Sequence, residues 1–424
     1  MTAAAVTSPD AAAPVVTTTP VPAAPPLLDL LPAAGALSWV RRGEGLVGWG
    51  EAARLEVSGP GALAEAAAWW DGYSGGLAVD DRLAVPGSGP VVFASIAFDP
   101  VAGTSVFVVP RVVVGRRDGV AWVTTVGDAD PAEVLAAPPA PPPAPLGRLR
   151  YADGALDPAS WCSAVEAAVQ RIDAGDLAKV VLARDLLVTA DAPLDPRRLL
   201  ARLAARFPDC WTFAVDGLLG ATPELLLRRT GRELSARVLA GTAPRGAGAD
   251  DDRLAAALLA SAKDRAEHAL AVDSLVAALE PYCARLTAPQ EPELLTLANV
   301  RHLATAVTGT QWRGGPHGRA GLLELVGAVH PTAAVCGTPT AAAATVLDEL
   351  ESLDRGRYAG PVGWLDARGD GEFGLALRCA QLSEEDPASA RLFAGCGIVA
   401  GSDPATELAE TQAKFAAFQA ALEG

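Results

Sequence analysis

The feature that most limits how this chain can fold is a proline-rich run between two different parts. Residues 136–146 read AAPPAPPPAPL. Proline has a fixed φ and no backbone N–H, so this run can form neither a helix nor a central β-strand. We therefore predict a surface connection over residues 136–150, between an N-terminal part, residues 27–135, and a larger part, residues 151–424.

The segment before these two parts, residues 1–26, is rich in Ala, Thr and Pro. It lacks the basic region followed by an apolar stretch that marks a signal peptide. We predict a disordered tail. The chain also has no proline-free run of about 18 uncharged apolar residues, so we expect no membrane span.

The charge of the chain bears on its partners. A formal net charge of −16 comes from 50 acidic and 34 basic residues. This field repels nucleic acid and anionic membranes, and no Lys/Arg-rich run offsets it. Six scattered cysteines without a C-x-x-C pair indicate reduced thiols, hence a cytoplasmic protein. These observations favour a small molecule as the partner.

The pattern of helices and strands predicts an antiparallel α+β fold. Residues 37–126 are typical of strands and turns, whereas helices at 157–172 and 196–207 alternate with strands at 179–184 and 211–215. A hairpin is expected at 225–239, and Ser261 should cap a long helix because an acid follows three residues later. No Rossmann or Walker glycine pattern favours a parallel sheet. Further strands are expected near 294–307, 360–365, 373–380 and 391–399, and further helices near 321–329, 341–353 and 404–422.

Lysine is scarce. Of the 34 basic residues only three are lysine, namely Lys179, Lys263 and Lys414. A site that needs only positive charge accepts arginine, whereas a site that needs a titratable amine does not. Each lysine is therefore a candidate for chemistry, with chance survival as the alternative.

Two pairs of acids are spaced three residues apart, so each pair shares one face of a helix. They are Asp264 with Glu267, and Glu407 with Glu410. Each pair alone is typical of a solvated helix face. Together they suit Mg²⁺, which prefers carboxylate oxygens and keeps positions open for water and an anionic ligand. Zinc is disfavoured because the His and Cys residues show no ligand spacing.

Two further residues are candidates for proton transfer. Lys179 opens an apolar strand, where an amine is driven towards its neutral, basic form. Glu224 lies at a turn entering another apolar strand, where burial favours the protonated form of a general acid. A lysine at a strand edge with its ammonium in water is the alternative for Lys179, and the residues alone do not decide between the two. Glycine-rich turns around Thr242 and at 395–399, and Arg378 on the strand 374–380, offer weaker signals for anion binding.

In their order along the chain these segments resemble the chorismate-utilising enzymes. That family includes isochorismate synthases, salicylate synthases and the large subunits of anthranilate and aminodeoxychorismate synthases. The resemblance covers residues 157–415, over half of the chain, and residues 42–50 and 96–100 also look like the N-terminal part of isochorismate synthases. It lies in the motifs 179–184 (KVVLAR), 220–224 (GATPE), 239–242 (LAGT), 261–268 (SAKDRAEH), 330–339 (HPTAAVCGTP), 395–399 (GCGIV) and 402–404 (SDP).

The resemblance implies a role for each matching position. Lys179 matches the base that activates water for attack at C2 of chorismate, and Glu224 matches the acid that protonates the departing C4 hydroxyl. Glu267 and Glu410 match the Mg²⁺ ligands, with Asp264 and Glu407 beside them and acting through water. The positions that match substrate-binding groups are Thr242, His302, Tyr358, Arg378, Gly395, Gly397 and Lys414.

Within the family, Lys179 argues for water as the nucleophile, because members that use ammonia typically carry Gln there. Ala240 is unlike the reactive lysine of aminodeoxychorismate synthases. The residues around 330–339 look more like isochorismate synthases that serve catecholate siderophores than like salicylate synthases, although Ala333 departs from the proline often found there. Salicylate synthase stays open as an alternative, and so does a non-catalytic chorismate-binding protein.

The family fold is one α+β unit of two packed, mostly antiparallel sheets flanked by helices, with the site between the sheets. The proline-rich connection would then be a surface crossing and no domain boundary. The resemblance further implies a monomer without a glutamine amidotransferase subunit. Whether the product feeds a siderophore, menaquinone or salicylate stays open.

Overall fold

The computed structural model describes residues 14–22, 24–127, 129–136, 141–298, 300–314 and 320–423. Two short 3₁₀ turns accompany the α-helices, at Leu27–Leu30 and Glu280–Tyr282. Within these residues the helices are α1 (Ala62–Gly75), α2 (Pro131–Ala136), α3 (Pro158–Asp173), α4 (Pro196–Arg206), α5 (Ala249–Ala260), α6 (Ala262–Leu279), α7 (Leu322–Val329), α8 (Thr340–Leu350) and α9 (Pro404–Glu423).

The strands of the described residues form one connected hydrogen-bonded network. They are β1 (Val15–Val21), β2 (Leu37–Arg41), β3 (Glu44–Val57), β4 (Ala78–Asp81), β5 (Val91–Ser95), β6 (Ser105–Arg117), β7 (Val120–Val126), β8 (Leu149–Asp153), β9 (Lys179–Ala190), β10 (Trp211–Val215), β11 (Leu218–Thr222), β12 (Leu225–Thr230), β13 (Glu233–Pro244), β14 (Cys283–Thr287), β15 (Glu293–Thr296), β16 (Val300–Gln311), β17 (Gly337–Thr338), β18 (Pro361–Asp366), β19 (Gly371–Leu375), β20 (Cys379–Leu382) and β21 (Ser389–Ile398).

The pairing of these strands confirms the predicted antiparallel α+β fold. Neighbouring segments form hairpins, such as β12 with β13 and β18 with β19. The pairing of β1 with β4 is parallel, and the other pairings in the described chain are antiparallel. The hairpins join neighbouring strands through short turns, whereas the pairings of β9 with β21 and of β5 with β18 join strands that are far apart in the chain.

The two parts on either side of the proline-rich connection share strand pairings. Strand β5 pairs with β18, and β2 pairs with β10. Residues 141–148 form no helix or strand, while residues 137–140 of the connection lie outside the described residues. Hydrogen bonds therefore join the N-terminal part to the larger part directly.

The predicted disordered tail, residues 1–26, is wrong for the residues that form β1. This strand pairs with β4 on one side and with β7 on the other, and Val16 is fully buried. The sequence VVTTTPV is rich in β-branched residues, which favour strands once partners are present. Residues 1–13 of the predicted tail lie outside the described residues.

Most of the helices expected from the sequence are present at the expected positions. Asp157 caps α3 by accepting hydrogen bonds from two backbone N–H groups, and Ser261 caps α6 by accepting one from the N–H of Asp264. In contrast, α1 was missed, because residues 37–126 were expected to contain only strands and turns. The expected strand 294–307 is two strands, β15 and β16.

The expected strand 373–380 is also wrong, since β19 ends at Leu375 and β20 starts at Cys379. Arg378 lies between them with a φ of 48°, in the left-handed region. The predicted position of Arg378 on a strand is therefore corrected.

Hydrophobic clusters fix the helices that flank the sheet. Helices α3 and α8 pack Trp161 and Val346 against Val180 of β9 and Ile398 of β21. Farther along these two strands, Phe418 of α9 packs in a separate cluster with Leu186 of β9 and Leu392 of β21. Helix α6 lies against β13, and α9 lies against β21. The described chain contains no helix both long and apolar enough to cross a membrane.

Candidate active site

A cavity lies between α6 and α9 on one side and the strands β13, β16 and β21 on the other. Its free space, including the part that is open to solvent, is about 940 Å³. Twelve of the thirteen residues to which the resemblance gives a role line it. They are Glu224, Thr242, Asp264, Glu267, His302, Tyr358, Arg378, Gly395, Gly397, Glu407, Glu410 and Lys414.

The thirteenth residue, Lys179, lies directly behind this lining. It opens β9, and its side chain is 1% exposed. Its Nζ lies 3.0 Å from Oε1 of Glu267, which does line the cavity. Gly397 of the neighbouring strand β21 lies close to both groups. A Cβ at this position would lie 2.9 Å from Cε of Lys179. The lysine therefore reaches the cavity at the Glu267 carboxylate.

Glu224 is buried in the turn between β11 and β12. Burial raises the pKa of Glu224 to about 8, although the positive charges of Lys179, Lys414 and Arg378 oppose this change. A carboxyl group with this pKa is mostly protonated at neutral pH and can donate a proton. At neutral pH the Glu224 carboxyl is therefore mostly neutral.

The acid cluster, which we define as Asp264, Glu267, Glu407 and Glu410, comes from two helices, α6 and α9. All three lysines of the chain bind one member each. The pairs are Lys179 with Glu267 at 3.0 Å, Lys263 with Glu407 at 3.2 Å, and Lys414 with Glu410 at 2.7 Å. A chain that otherwise uses arginine thus concentrates its lysines at one site.

The acid cluster offers carboxylate oxygens as donors. Within the described residues no group of three or more acid, His or Cys side chains is arranged to hold a metal ion; three of the four carboxylates hold ammonium groups. The fourth, Asp264, has its pKa raised by burial and by the nearby Glu267 and Glu410 carboxylates. Excess negative charge on hard oxygen donors fits Mg²⁺. The residues therefore suit this ion in kind and in charge.

A chain of hydrogen bonds crosses the cavity wall. Nη2 of Arg378 donates to Nε2 of His302 at 2.6 Å, and Nδ1 of His302 lies 3.1 Å from Oγ1 of Thr242. Burial, and then the charges of Arg378 and Lys414, hold the pKa of His302 well below its usual range. Because Nε2 accepts a hydrogen bond, the proton of the neutral ring lies on Nδ1.

Tyr358 and Arg378 lie on the same cavity, as the sequence predicts. The Tyr358 ring stacks on Phe393 with centroids 4.9 Å apart. A Cβ at Gly395 would lie 3.1 Å from the Tyr358 hydroxyl oxygen, so glycine leaves this hydroxyl accessible. Lys414 donates to the carbonyl of Gly395 at 2.7 Å. The Tyr358 hydroxyl and the Lys414 ammonium therefore both lie beside Gly395.

Sequence analysis did not identify the buried pair of Glu351 and Arg355, of which Arg355 lines the cavity. Arg355 donates to both carboxylate oxygens of Glu351 and to the carbonyls of Val181 and Val335. Glu351 in turn accepts from the N–H of Ala183. The pair thus holds β9, which carries Lys179. Its four-residue spacing was the available signal, but that spacing is common on exposed helices.

Sequence comparison identifies related proteins. The profile of the family described as chorismate binding enzyme matches residues 37–423. The chain is 41% identical over 350 residues to a protein of Mycobacterium tuberculosis assigned as isochorismate synthase MenF. That match covers 79% of this chain and 87% of the relative.

Solved structures give the same picture. The structure assigned as the 2,3-dihydroxybenzoate-specific isochorismate synthase DhbC of Bacillus anthracis matches with a TM-score of 0.77 and 30% identity, covering 94% of this chain and 98% of that one. The menaquinone-specific isochorismate synthase MenF of Escherichia coli matches with a TM-score of 0.78 and 25% identity, covering 97% and 95%.

Proposed function

The chain belongs to the family of chorismate-binding enzymes, and from this premise we propose that it isomerises chorismate to isochorismate. The observation that carries the proposal is the position of Lys179 and Glu224 at one cavity, together with a glutamate pKa of about 8. Binding alone needs neither a base nor a protonated acid. Water attack at C2 with loss of the C4 hydroxyl needs both.

Lys179 is proposed as the base. Its neutral amine takes a proton from water, and the water oxygen forms the bond to C2 of the ring. The Glu267 carboxylate fixes the position of the amine through the contact at 3.0 Å. The Lys179 side chain is 1% exposed, so bulk water is excluded from the amine.

Glu224 is proposed as the acid. It gives its proton to the C4 hydroxyl, which leaves as water while the ring double bonds shift. One water enters and one leaves, so the substrate and the product are isomers. Lys179 ends protonated and Glu224 ends ionised, and proton exchange with solvent resets both groups.

Substrate recognition is proposed for the polar groups of the same cavity. Arg378 and Tyr358 bind the enolpyruvyl carboxylate, with backbone N–H groups near Gly395 and Gly397. Arg378 is suited to this task because a guanidinium can bind a carboxylate through two hydrogen bonds. The remaining polar lining is Thr242, His302 and Lys414.

Glu267 and Glu410 would hold Mg²⁺, with Asp264 and Glu407 acting through water. When bound, the ion supplies positive charge that neutralises the ring carboxylate of the dianionic substrate. Support comes from the convergence of both helix pairs on the cavity and from the raised pKa of Asp264, due to burial first and then to neighbouring carboxylates.

Water, and not ammonia, is the proposed nucleophile, because Lys179 stands where a base is needed. No lysine occurs between residues 180 and 262, so an aminodeoxychorismate synthase mechanism has no candidate there. We therefore propose a monomer that works without an amidotransferase subunit in the cytoplasm. All six cysteines lie in the described residues and are free thiols, which agrees with a reducing compartment.

Incubation of the protein with chorismate and Mg²⁺, followed by chromatography of the products, tests the proposal. Isochorismate as the only product is the expected result. Salicylate with pyruvate would assign a salicylate synthase instead. Chorismate that stays unchanged would leave a binding protein. The solved relatives include one menaquinone-specific and one 2,3-dihydroxybenzoate-specific enzyme with similar TM-scores, so the fold does not select the later use of the product.

A further inference from the structure

Lys263 is the lysine of the site for which the proposed reaction has no role. Its Nζ lies 3.2 Å from Oε1 of Glu407. The Lys263 side chain is 44% exposed, whereas the Glu407 side chain is 4% exposed. The ion pair therefore joins a movable ammonium to a fixed carboxylate.

The buried carboxylate of Glu407 needs a positive partner. A buried charge that loses its partner strongly destabilises the fold. The other two lysines bind Glu267 and Glu410. Lys263 thus supplies the countercharge of Glu407 in the metal-free protein.

The type of residue at position 263 is informative, because arginine supplies most of the positive charge of this chain. An arginine would bind a carboxylate through two hydrogen bonds in a fixed geometry. A lysine is a point charge on a flexible stem, and it exchanges partners more readily. Lys263 also lies in the first turn of α6, with solvent beside it.

We propose that Lys263 is a displaceable counter-ion of Glu407, which competes with Mg²⁺ for the acid cluster and lowers the affinity of the enzyme for the ion. The inference rests on the proposed function, since it requires the acid cluster to bind Mg²⁺. When a divalent cation enters, Glu407 no longer needs the ammonium, and Lys263 turns to solvent. Because the cation replaces the ammonium, the buried carboxylate of Glu407 has a positive partner both before and after the cation binds.

The test is a calorimetric titration of Mg²⁺ into the full-length protein without chorismate. Lys263→Met removes the competitor, and we expect its Kd for Mg²⁺ to fall about fivefold, the factor that a modest ion pair contributes. Lys263→Arg holds Glu407 more firmly, and its Kd should rise above the wild-type value. A purely structural role for Lys263 predicts the opposite order, with arginine preserving the affinity and methionine weakening it.

Arg265→Met is the matched control. Arg265 lies on the same helix, is 43% exposed and pairs with Glu291 outside the acid cluster. Its Kd for Mg²⁺ should equal that of the wild type. As a second measurement, Lys263→Met should melt at a lower temperature than the wild type without Mg²⁺ and gain more on its addition, because Mg²⁺ then supplies the missing charge.

The outcomes separate the two proposals. A wild-type protein that neither responds to Mg²⁺ nor converts chorismate contradicts the proposed function. A wild-type protein that does both, with the same Mg²⁺ affinity in Lys263→Met and Lys263→Arg, overturns only the role of Lys263. If Lys263→Met does not fold, Lys263→Arg decides alone, since an unchanged Kd in that variant rejects the competition.

Discussion

Nζ of Lys179 lies 3.0 Å from Oε1 of Glu267, so the proposed base and a proposed metal ligand form an ion pair. Positive charge brought to Glu267 would compete with the ammonium for this carboxylate. The two proposed functions of the site are therefore linked through one contact.

Lys179→Arg should bind chorismate but turn it over at least about 100-fold more slowly, because a guanidinium does not give up its proton. Binding is measured by calorimetry and turnover by product chromatography. Lys414→Arg is the control, since it keeps a cation beside Glu410 and should lower turnover far less. Rapid water-dependent turnover by Lys179→Arg would remove the lysine from the role of base.

Turnover should fall as pH rises through 8, because Glu224 then loses the proton that it must donate. The free energy of unfolding should also decrease as pH rises. The pKa of Glu224 rises on folding from 4.5 to about 8, owing to burial, so its contribution is fully present below pH 4.5 and is lost as pH approaches 8. Unfolding in urea at several pH values should show this loss in the wild type and less of it in Glu224→Gln. Equal pH profiles of turnover in both proteins would contradict the assignment.

Gly397→Ala should lower turnover by about 100-fold or more, while the protein stays folded. The added Cβ would overlap the Glu267 carboxylate and lie 2.9 Å from Cε of Lys179, so both groups must shift. A misplacement of about 1 Å at a reacting group can cost this factor. Gly72→Ala in α1 meets no atom within 4 Å and serves as the control. Steady-state kinetics on both variants measure the turnover, and circular dichroism checks that both are folded.

Treatment with EDTA should abolish turnover, and Mg²⁺ should restore it. Hard carboxylate oxygens hold this ion weakly enough for chelation to remove it. Glu410→Gln removes a charge from the acid cluster and should raise the Mg²⁺ concentration needed for half-maximal rate. Full activity in EDTA would show that the acid cluster works without a metal.

Much of the site could be predicted because its residues lie in short ordered motifs. Lys179, Glu224 and both acid pairs were located by the segments around them, and the structure brings them to one cavity or its wall. The caps at Asp157 and Ser261 follow from side-chain hydrogen bonds within three residues. Such short-range hydrogen bonds can be predicted from the residue types near the start of a helix.

Long-range features were not predictable in this way. The left-handed backbone of Arg378 has no local signal, since the residues from Phe373 to Ala380 look like one continuous strand. The absence of a Cβ at Gly220 leaves room for the Arg378 carbonyl, and this neighbour comes from a distant part of the chain. Strand β1 likewise depends on partners far along the sequence. Lys263 was noticed for its rarity, but its partner on α9 was not.

The pairing of β9 with β21 joins Val180 to Ile398 across more than half of the chain. Strand β21 and helix α9 provide both glycines, Glu407, Glu410 and Lys414. During synthesis β9 therefore cannot pair with β21 until residues near 400 have left the ribosome. A chain that lacks α9 keeps Lys179 but has only Asp264 and Glu267 of the acid cluster.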